Sequence, residues 1–306
     1  MYLKVIDTLS EGFSAANRRL WIVAIPILFD VFLWLGPKAT VGPRLASLVQ
    51  TGFPAQYSGY EALVQQTLAG FNLFSLAAMY LPSLVVRLDS APLASLTSNL
   101  AVNSPTAFLL AALAIVLAGL WLGCLYLGLI AQVVRDGQTN LRVLASAVWR
   151  YWRRLVAFLV IVAGLLLLAA VPFGLAYLVV SSVSPTAGDF LAFLVQIALL
   201  WAIVYLFFAV QALLLSDVGP VQAIQLSVAV IAANFWAAVT LIGLTFLISL
   251  GLPLAWQLIA ANPAGLAVAI IGNAYIGTGV AAAAFLFYQE RLERLKPAAT
   301  TLQEIR

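Results

Sequence analysis

The chain has 306 residues, of which 64% are hydrophobic and only 8% are charged, and its formal net charge is +4. Soluble domains carry about 25% charged residues, so no soluble core could bury this much apolar surface, and the composition predicts an integral membrane protein. Histidine is absent and cysteine occurs once, as Cys124, which excludes the usual zinc sites, Ser-His and Cys-His nucleophile pairs, internal disulfides and iron–sulfur clusters.

Six apolar segments are long enough to cross the hydrocarbon, which takes about 17 to 25 helical residues. In chain order they are 20–36, 107–134, 155–181, 189–215, 235–260 and 264–288. The first is the shortest and contains Asp30. The start of the chain lacks an Ala-x-Ala cleavage pattern, so we expect the first span to be kept and not removed as a signal peptide.

A further apolar stretch at 71–85 is too short to span the membrane. It is also interrupted by Asn72 and Pro82. We therefore expect it to lie at the interface or to fold over the helices.

Basic residues indicate the orientation of the spans. They cluster before the first span, between the second and third spans and after the sixth, whereas residues 155–290 contain no Lys or Arg. Six spans with both termini in the cytoplasm place every cluster inside, so we predict a multi-pass protein of the cell (cytoplasmic) membrane. These clusters account for the net charge, which therefore requires no nucleic-acid partner.

Two parts of the chain align at one offset, "RDGQTNLRVLASAVWRYWRRLVAFLV" from residue 135 and "SDVGPVQAIQLSVAVIAANFWAAVTL" from residue 216. Identical residues coincide in three places: Asp136 with Asp217, Ser146 with Ser227, and Pro172 with Pro253. The start of the chain, "AANRRLWIV" from residue 15, offers a third copy. The alternative is that apolar helices resemble each other by composition alone.

The alignment predicts an all-α, polytopic membrane helical bundle with six transmembrane helices arranged as three parallel hairpin repeats. A single membrane domain, 1–306, would contain the repeat units 1–134, 135–215 and 216–296, followed by a cytoplasmic tail, 297–306. An amphipathic cytoplasmic helix would precede each hairpin, as in 141–155, where apolar residues recur at helical spacing with basic residues between them.

Helices of this kind lie in the inner headgroup layer. We expect their arginines to contact the phosphates of anionic inner-leaflet lipids: Arg18, Arg19, Arg150, Arg153 and Arg154.

Residues 37–106 break the repeat and form an insertion on the outer side. A segment of this length is usually functional or structured. Its apolar residues alternate with Gly, Pro and Ser, so we predict two or three short amphipathic helices. They either cap the bundle or lie on the outer leaflet.

Asp30 lies roughly 10 Å below the outer boundary at 1.5 Å per helical residue, and a carboxylate at such a depth is a functional candidate. Other polar side chains of the spans reach the same outer half and form a candidate intramembrane polar cluster with it: Gln196, Gln257 and Asn273. One interpretation is a solute or ion site beneath the insertion.

The other interpretation is structural, with the polar side chains hydrogen-bonded between helices and Asp30 paired to a cation of the insertion, Lys38, Arg44 or Arg87. The repeat places Leu165 and Phe246 where Asp30 stands in the first unit. The carboxylate is thus peculiar to the unit that carries the insertion, which favours anchoring.

Small residues mark further expected contacts. Gly119 and Gly123 form a GxxxG step, and Gly277 with Ala281 forms a similar one, which predicts close helix packing. No phosphate-binding loop, GxSxG or metal-ligand pattern occurs, and the spans lack the second aspartate of an intramembrane protease. We therefore expect no enzymatic activity, no cofactor and no metal.

The stretch "SDVGPVQAIQLSVAVIAANFWAAVTLIGL" combines an acidic-Gly-Pro turn, an Ala and a Ser one helical turn apart, and an aromatic entry to the next span. The residues concerned are Asp217, Gly219, Pro220, Ala223, Ser227, Asn234, Phe235 and Trp236. This pattern resembles the multi-span membrane domain attached to some bacterial glycerophosphodiester phosphodiesterases, and related stand-alone six-helix proteins. Those proteins usually carry basic residues beside the Ser, where this chain has Gln225 and Leu226.

The resemblance covers roughly the second to the sixth span and leaves 37–106 unaccounted for. It implies a membrane-embedded helper domain and not the phosphodiesterase activity, whose soluble domain has no counterpart in this sequence. Two functions therefore remain open. The first is a non-catalytic scaffold, anchor or helper for a membrane-protein partner. The second is a transporter or lipid-handling protein with a polar site beneath the insertion.

Overall fold

The protein is described by a computed structural model that covers residues 5–42, 71–88 and 99–304. Helices dominate these residues, and a pair of four-residue strands accompanies them. The α-helices are α1 (Val5–Arg18), α2 (Ala24–Leu35), α3 (Pro105–Asp136), α4 (Leu141–Val183), α5 (Pro185–Leu206), α6 (Ala209–Leu215), α7 (Pro220–Ala233), α8 (Phe235–Ile259) and α9 (Pro263–Glu304). The strands are β1 (Lys38–Val41) and β2 (Asn99–Val102), and 3-10 helices occupy Leu20–Val23, Leu73–Ala78 and Val85–Arg87.

The described part of the chain contains five helical segments that are long and apolar enough to cross a membrane. They are Pro105–Asp136, Leu141–Val183, Pro185–Leu215, Phe235–Ile259 and Pro263–Leu295. This confirms the coarse prediction of an all-α, multi-pass membrane protein. Within the predicted first span, 20–36, the apolar helical segment is Leu20–Leu35, which is shorter than these five. It consists of a 4-residue 3-10 turn followed by the 12 residues of α2. Six long spans are therefore not confirmed.

The prediction of a separate amphipathic helix at 141–155 is wrong. Helix α4 runs without a break over 43 residues, through the boundary at which the third span was expected to begin. The sequence around that boundary contains neither Gly nor Pro, so nothing interrupts the backbone hydrogen bonds. In the next predicted repeat unit, helix α7 is separate from α8, because Asn234 leaves the helical conformation before α8 starts.

One compact unit consists of Gly12–Val148 and Phe246–Ala282. The strands β1 and β2 pair in parallel within it, with Lys38 opposite Asn99 and Val41 opposite Val102. They join the two ends of the predicted insertion, where only helices were expected. Residues 43–70 and 89–98 lie outside the described residues, so the helices predicted there are not tested.

The hydrophobic core of this unit contains residues of the insertion together with residues of α2 and α9. Trp34 of α2 and Leu84 pack with Leu266, Ala269 and Ile270 of α9. Leu73 and Leu84 are fully buried. The described stretch 71–88, which we call the inserted segment, therefore contributes buried residues to this hydrophobic core.

A second compact unit consists of Met1–Glu11, Trp149–Thr245 and Ala283–Arg306. Ser184 caps the start of α5, and Pro185 occupies its first turn, as is usual for a helix N-terminus. The helical path breaks at Phe207 and Phe208 before continuing as α6. Phe208 is fully buried and stacks on Phe287 with ring centroids 5.3 Å apart.

Candidate functional site around Asp30

Asp30 lies within the apolar helix α2 and has none of its surface exposed. Its Oδ1 accepts a hydrogen bond from the hydroxyl of Ser83, and its Oδ2 accepts one from the backbone N–H of Leu84 at 2.8 Å. The backbone N–H of Val85 adds a further donor. A buried carboxylate is tolerated only when such partners replace its water. Here the inserted segment supplies these donors.

These donors stand at the start of the 3-10 helix Val85–Arg87. The first N–H groups of a helix have no partner within it, and Leu84, at the capping position, makes no side-chain cap. Asp30 therefore takes the role of an N-cap, in which a carboxylate accepts from the free N–H groups at the positive end of the helix dipole. The cap comes from a residue 54 positions away in the chain.

The sequence predicted a cation as the partner of Asp30. The described partners are instead a hydroxyl and backbone amides. A cluster of amides at a turn binds an anion without adding a second buried charge. Of the predicted cations, Arg44 and the side chain of Arg87 lie outside the described residues.

Asn273 of α9 binds the same segment. Its Nδ2 donates to the backbone carbonyl of Pro82 at 3.0 Å, one residue before the hydroxyl that binds Asp30. Two of the four predicted cluster residues, Asp30 and Asn273, are thus brought together on Pro82–Leu84. The other two, Gln196 and Gln257, have exposed side chains.

Three glycines of the long apolar helices α3 and α9 lie in close contact with the inserted segment. A Cβ on Gly119 would lie 2.7 Å from the carbonyl oxygen of Ala77, and one on Gly123 would lie 2.8 Å from the Cβ of Tyr80. A Cβ on Gly277 would lie 2.9 Å from the Cγ of Pro82. The GxxxG step was predicted to mark a close contact between helices of the bundle, and it packs against the inserted segment instead, whose Ala77 lies in the 3-10 helix Leu73–Ala78.

A small cavity opens beside this segment. It has a volume of about 40 Å³ and its polar lining is Ser83, Ser249 and Asn273. A single water needs about 10 to 15 Å³ by this measure, whereas small-molecule sites occupy about 300 to 1,000 Å³. The cavity therefore has room for a few waters and not for an organic solute.

Two of the arginines predicted to contact lipid phosphates form ion pairs within the protein. Arg150 contacts Asp217 through Nη2 at 3.0 Å and Nε at 3.1 Å, and Arg154 binds the same carboxylate. Asp217 adopts a φ of +53° in the turn between α6 and α7, a left-handed conformation that Asp tolerates better than most residues. Of the other three arginines of the predicted set, Arg18 and Arg153 are exposed and Arg19 is half-buried.

Ser227 has a role that the sequence did not reveal. It is fully buried, its Oγ accepts from the backbone N–H of Phe208 at 3.1 Å, and its hydroxyl donates to the carbonyl of Tyr205 at 2.7 Å. It thereby satisfies backbone groups freed where α5 breaks before α6. The alignment with Ser146, which is exposed and binds the carbonyl of Val143, gave no sign of this role.

Metal ligands do not cluster in the part of the chain that the structure describes. No group of three or more Cys, Asp or Glu there could hold a metal ion. Cys124 is fully buried, as expected of a small core residue.

Comparison of the chain with family models, with curated proteins and with solved structures finds no match in any of the three. The resemblance to the membrane domain of glycerophosphodiester phosphodiesterases therefore stays a prediction. Among the residues that carry it, Ala223 and Ser227 are fully buried.

Proposed function

We propose that this protein is a non-catalytic integral membrane protein that acts as a scaffold, anchor or helper for a partner in the membrane. The observation that carries this proposal is that the carboxylate oxygens of Asp30 are bound within the chain itself. Its two oxygens are hydrogen-bonded to Ser83 and Leu84 of the same chain. A coupling carboxylate in a transporter needs a solute, an ion or a water path at those oxygens, and here the inserted segment occupies them.

The proposed topology has six membrane-crossing segments, arranged as three parallel hairpins with both termini in the cytoplasm of a bacterial-type cell membrane. The distribution of Lys and Arg supports this orientation. The short first segment, Leu20–Leu35, would cross by local thinning of the bilayer, which costs only a fraction of a kcal/mol for each ångström of mismatch.

Single cysteines at residues 60 and 145, introduced after replacement of Cys124, test the topology. A membrane-impermeant thiol reagent should label them from opposite sides of the membrane. Labelling of both from the same side would contradict the six-segment arrangement.

The inner surface of the proposed scaffold would bind anionic lipids through Arg18 and Arg153, which are exposed. Arg150 and Arg154 would join them when a lipid phosphate displaces Asp217. Each basic side chain near an anionic surface contributes about 1 kcal/mol. The lipid bilayer is therefore itself a partner of this protein, beside a membrane-protein partner.

A second candidate function, transport or lipid handling, is favoured by the cavity next to Asp30. Ser83 both lines this cavity and binds Asp30, so a proton or a small ion that entered it would meet the carboxylate through one hydroxyl. The volume of about 40 Å³ limits this alternative to such small species.

Native mass spectrometry of the purified protein and of the Asp30→Asn variant separates the two functions. The scaffold proposal expects peaks for the chain with lipid or with a partner chain, and the same set of peaks for the variant. A solute bound at one per chain, lost in the variant while the fold is retained, would overturn the scaffold proposal in favour of transport.

A further inference from the structure

Gln196 occupies an unusual position on α5. Asp189 is the last charged residue before it, and Gln196 lies about 10 Å farther along the helix axis at 1.5 Å per residue. This places its side chain inside a hydrocarbon layer about 30 Å thick. The side chain is exposed, and no hydrogen bond joins it to any other residue that the structure describes.

An exposed amide at this depth faces hydrocarbon. Lipid tails offer neither donors nor acceptors, and each unsatisfied polar group in the bilayer core carries a large penalty. Headgroups lie too far away for the short side chain of Gln to reach. The amide therefore needs a protein partner at the same depth.

The face of α5 around Gln196 is suited to a helix partner. The neighbours at helical spacing are Phe193, Leu199, Leu200 and Ile203, all of them exposed. The sequence contains no charged residue between Asp189 and Asp217. The face is thus an apolar surface with one polar group at its centre, and interhelical hydrogen bonds of Gln are a known contribution to association within membranes.

A second copy of this chain satisfies these requirements without further assumptions. A primary amide carries both a donor and an acceptor, so two copies related by a two-fold axis along the membrane normal can exchange hydrogen bonds through the same residue. Both chains insert with the same orientation, which brings the two amides to equal depth. Such an interface is isologous, the commonest type in homo-oligomers.

We propose that two copies of this chain associate through the Gln196 face of α5, with the amide of Gln196 hydrogen-bonded to its counterpart. This interface is separate from the site around Asp30, and it is compatible with either of the functions considered above. Helix α5 then contributes both a membrane span and the contact that joins the copies.

Disulfide cross-linking in proteoliposomes tests the interface. With Cys124 replaced by Ala, the Leu200→Cys variant places a thiol on the Gln196 face, one helical turn away. The control Leu194→Cys places a thiol on the opposite side of the same helix, where Leu194 is also exposed. Oxidation should yield a covalent dimer from Leu200→Cys and little from Leu194→Cys.

Substitution of the amide completes the test. In the Leu200→Cys background, Gln196→Leu should lower the dimer yield at least about threefold, the factor that corresponds to one average interhelical hydrogen bond, whereas Gln196→Asn should retain part of it. Because Gln196 is exposed, Gln196→Leu leaves the fold intact, which a monodisperse gel-filtration peak would verify. Equal yields from Leu200→Cys and Leu194→Cys, or an unchanged yield in Gln196→Leu, would overturn the proposal.

Discussion

The backbone N–H of Leu84 donates a hydrogen bond of 2.8 Å to Oδ2 of Asp30, across 54 residues of sequence. This contact joins the inserted segment to α2, a helix that is otherwise apolar. This hydrogen bond explains how a carboxylate is accommodated within an apolar helix. The carboxyl group of Asp30 thus binds the start of a 3-10 helix inside the protein.

Removal of the Ser83 hydroxyl, which donates to Asp30, should weaken the contact between the inserted segment and α2. Ser83→Ala leaves Oδ1 of the buried carboxylate without its donor, so we expect a loss of about 2 kcal/mol, typical of a hydrogen bond to a charged group. Thermal unfolding in detergent measures the effect. The control is Ser182→Ala, since the Ser182 hydroxyl binds only the carbonyl of Val179 within its own helix and its residue is exposed. Equal stability of Ser83→Ala and wild type would contradict the proposed role of Ser83.

The close approach of the inserted segment to α3 predicts that Gly119 cannot be enlarged. In Gly119→Ala the new methyl group meets the backbone of Ala77, which cannot move aside as a flexible side chain would, so we expect destabilisation by about 1 to 3 kcal/mol. The matched control is Gly243→Ala in α8, where nothing lies within 4 Å of the new Cβ. Thermal unfolding should separate the two variants, and an equal response of both would show that the segment does not pack on Gly119.

Ser227 and its predicted repeat counterpart Ser146 should respond differently to the same substitution. Ser227→Ala removes the partner of two backbone groups at the break before α6, with an expected cost of about 1 to 3 kcal/mol. Ser146→Ala alters an exposed residue and should change stability by less than about 0.5 kcal/mol. Chemical unfolding followed by tryptophan fluorescence compares them. Similar losses in both would indicate that the two serines keep one structural role in both units.

The ion pairs of Asp217 predict a change in lipid binding. Asp217→Asn frees Arg150 and Arg154, so we expect the preference for spin-labelled phosphatidylglycerol over phosphatidylcholine to increase. The stability should change by less than about 1 kcal/mol, because both pairs are at least partly exposed to solvent. High salt should abolish the increase, since it screens exposed charges.

The control for lipid binding is Asp189→Asn. Asp189 is also exposed and lies near the start of α5. An equal increase in this control, or no increase in Asp217→Asn, would argue that the two arginines already contact lipid while paired.

The sequence predicted the features that depend on runs of apolar residues. The five long helices follow directly from composition. The absence of a counterpart to Asp30 in the other predicted repeat units favoured a role in anchoring the insertion. Its partner could not be predicted, because an anion is stabilised as well by amides at a turn as by a cation. Ser83 carries no distinguishing pattern in the sequence.

Other differences arise where one pattern permits two structures. A GxxxG step indicates only that another part of the protein approaches closely, and at Gly119 and Gly123 this is the inserted segment and not another membrane-spanning helix. The amphipathic stretch 141–155 predicts a helix correctly, but amphipathicity does not indicate whether that helix ends before the next span. Gln196 and Asn273 were assigned to one cluster from depth alone, whereas depth says nothing about which side of a helix a residue occupies.

The central claim is that Asp30 holds the inserted segment in place. Thermal unfolding of Asp30→Asn in detergent, compared with Asp189→Asn, tests this claim most directly. The amide of Asn keeps one acceptor oxygen and presents an NH₂ group to donors that need an acceptor, so the variant should lose about 2 to 3 kcal/mol, while Asp189→Asn should stay within about 0.5 kcal/mol of wild type. That result would establish Asp30 as the residue that holds the inserted segment. Unchanged stability of Asp30→Asn, accompanied by loss of a bound solute or ion, would contradict the claim.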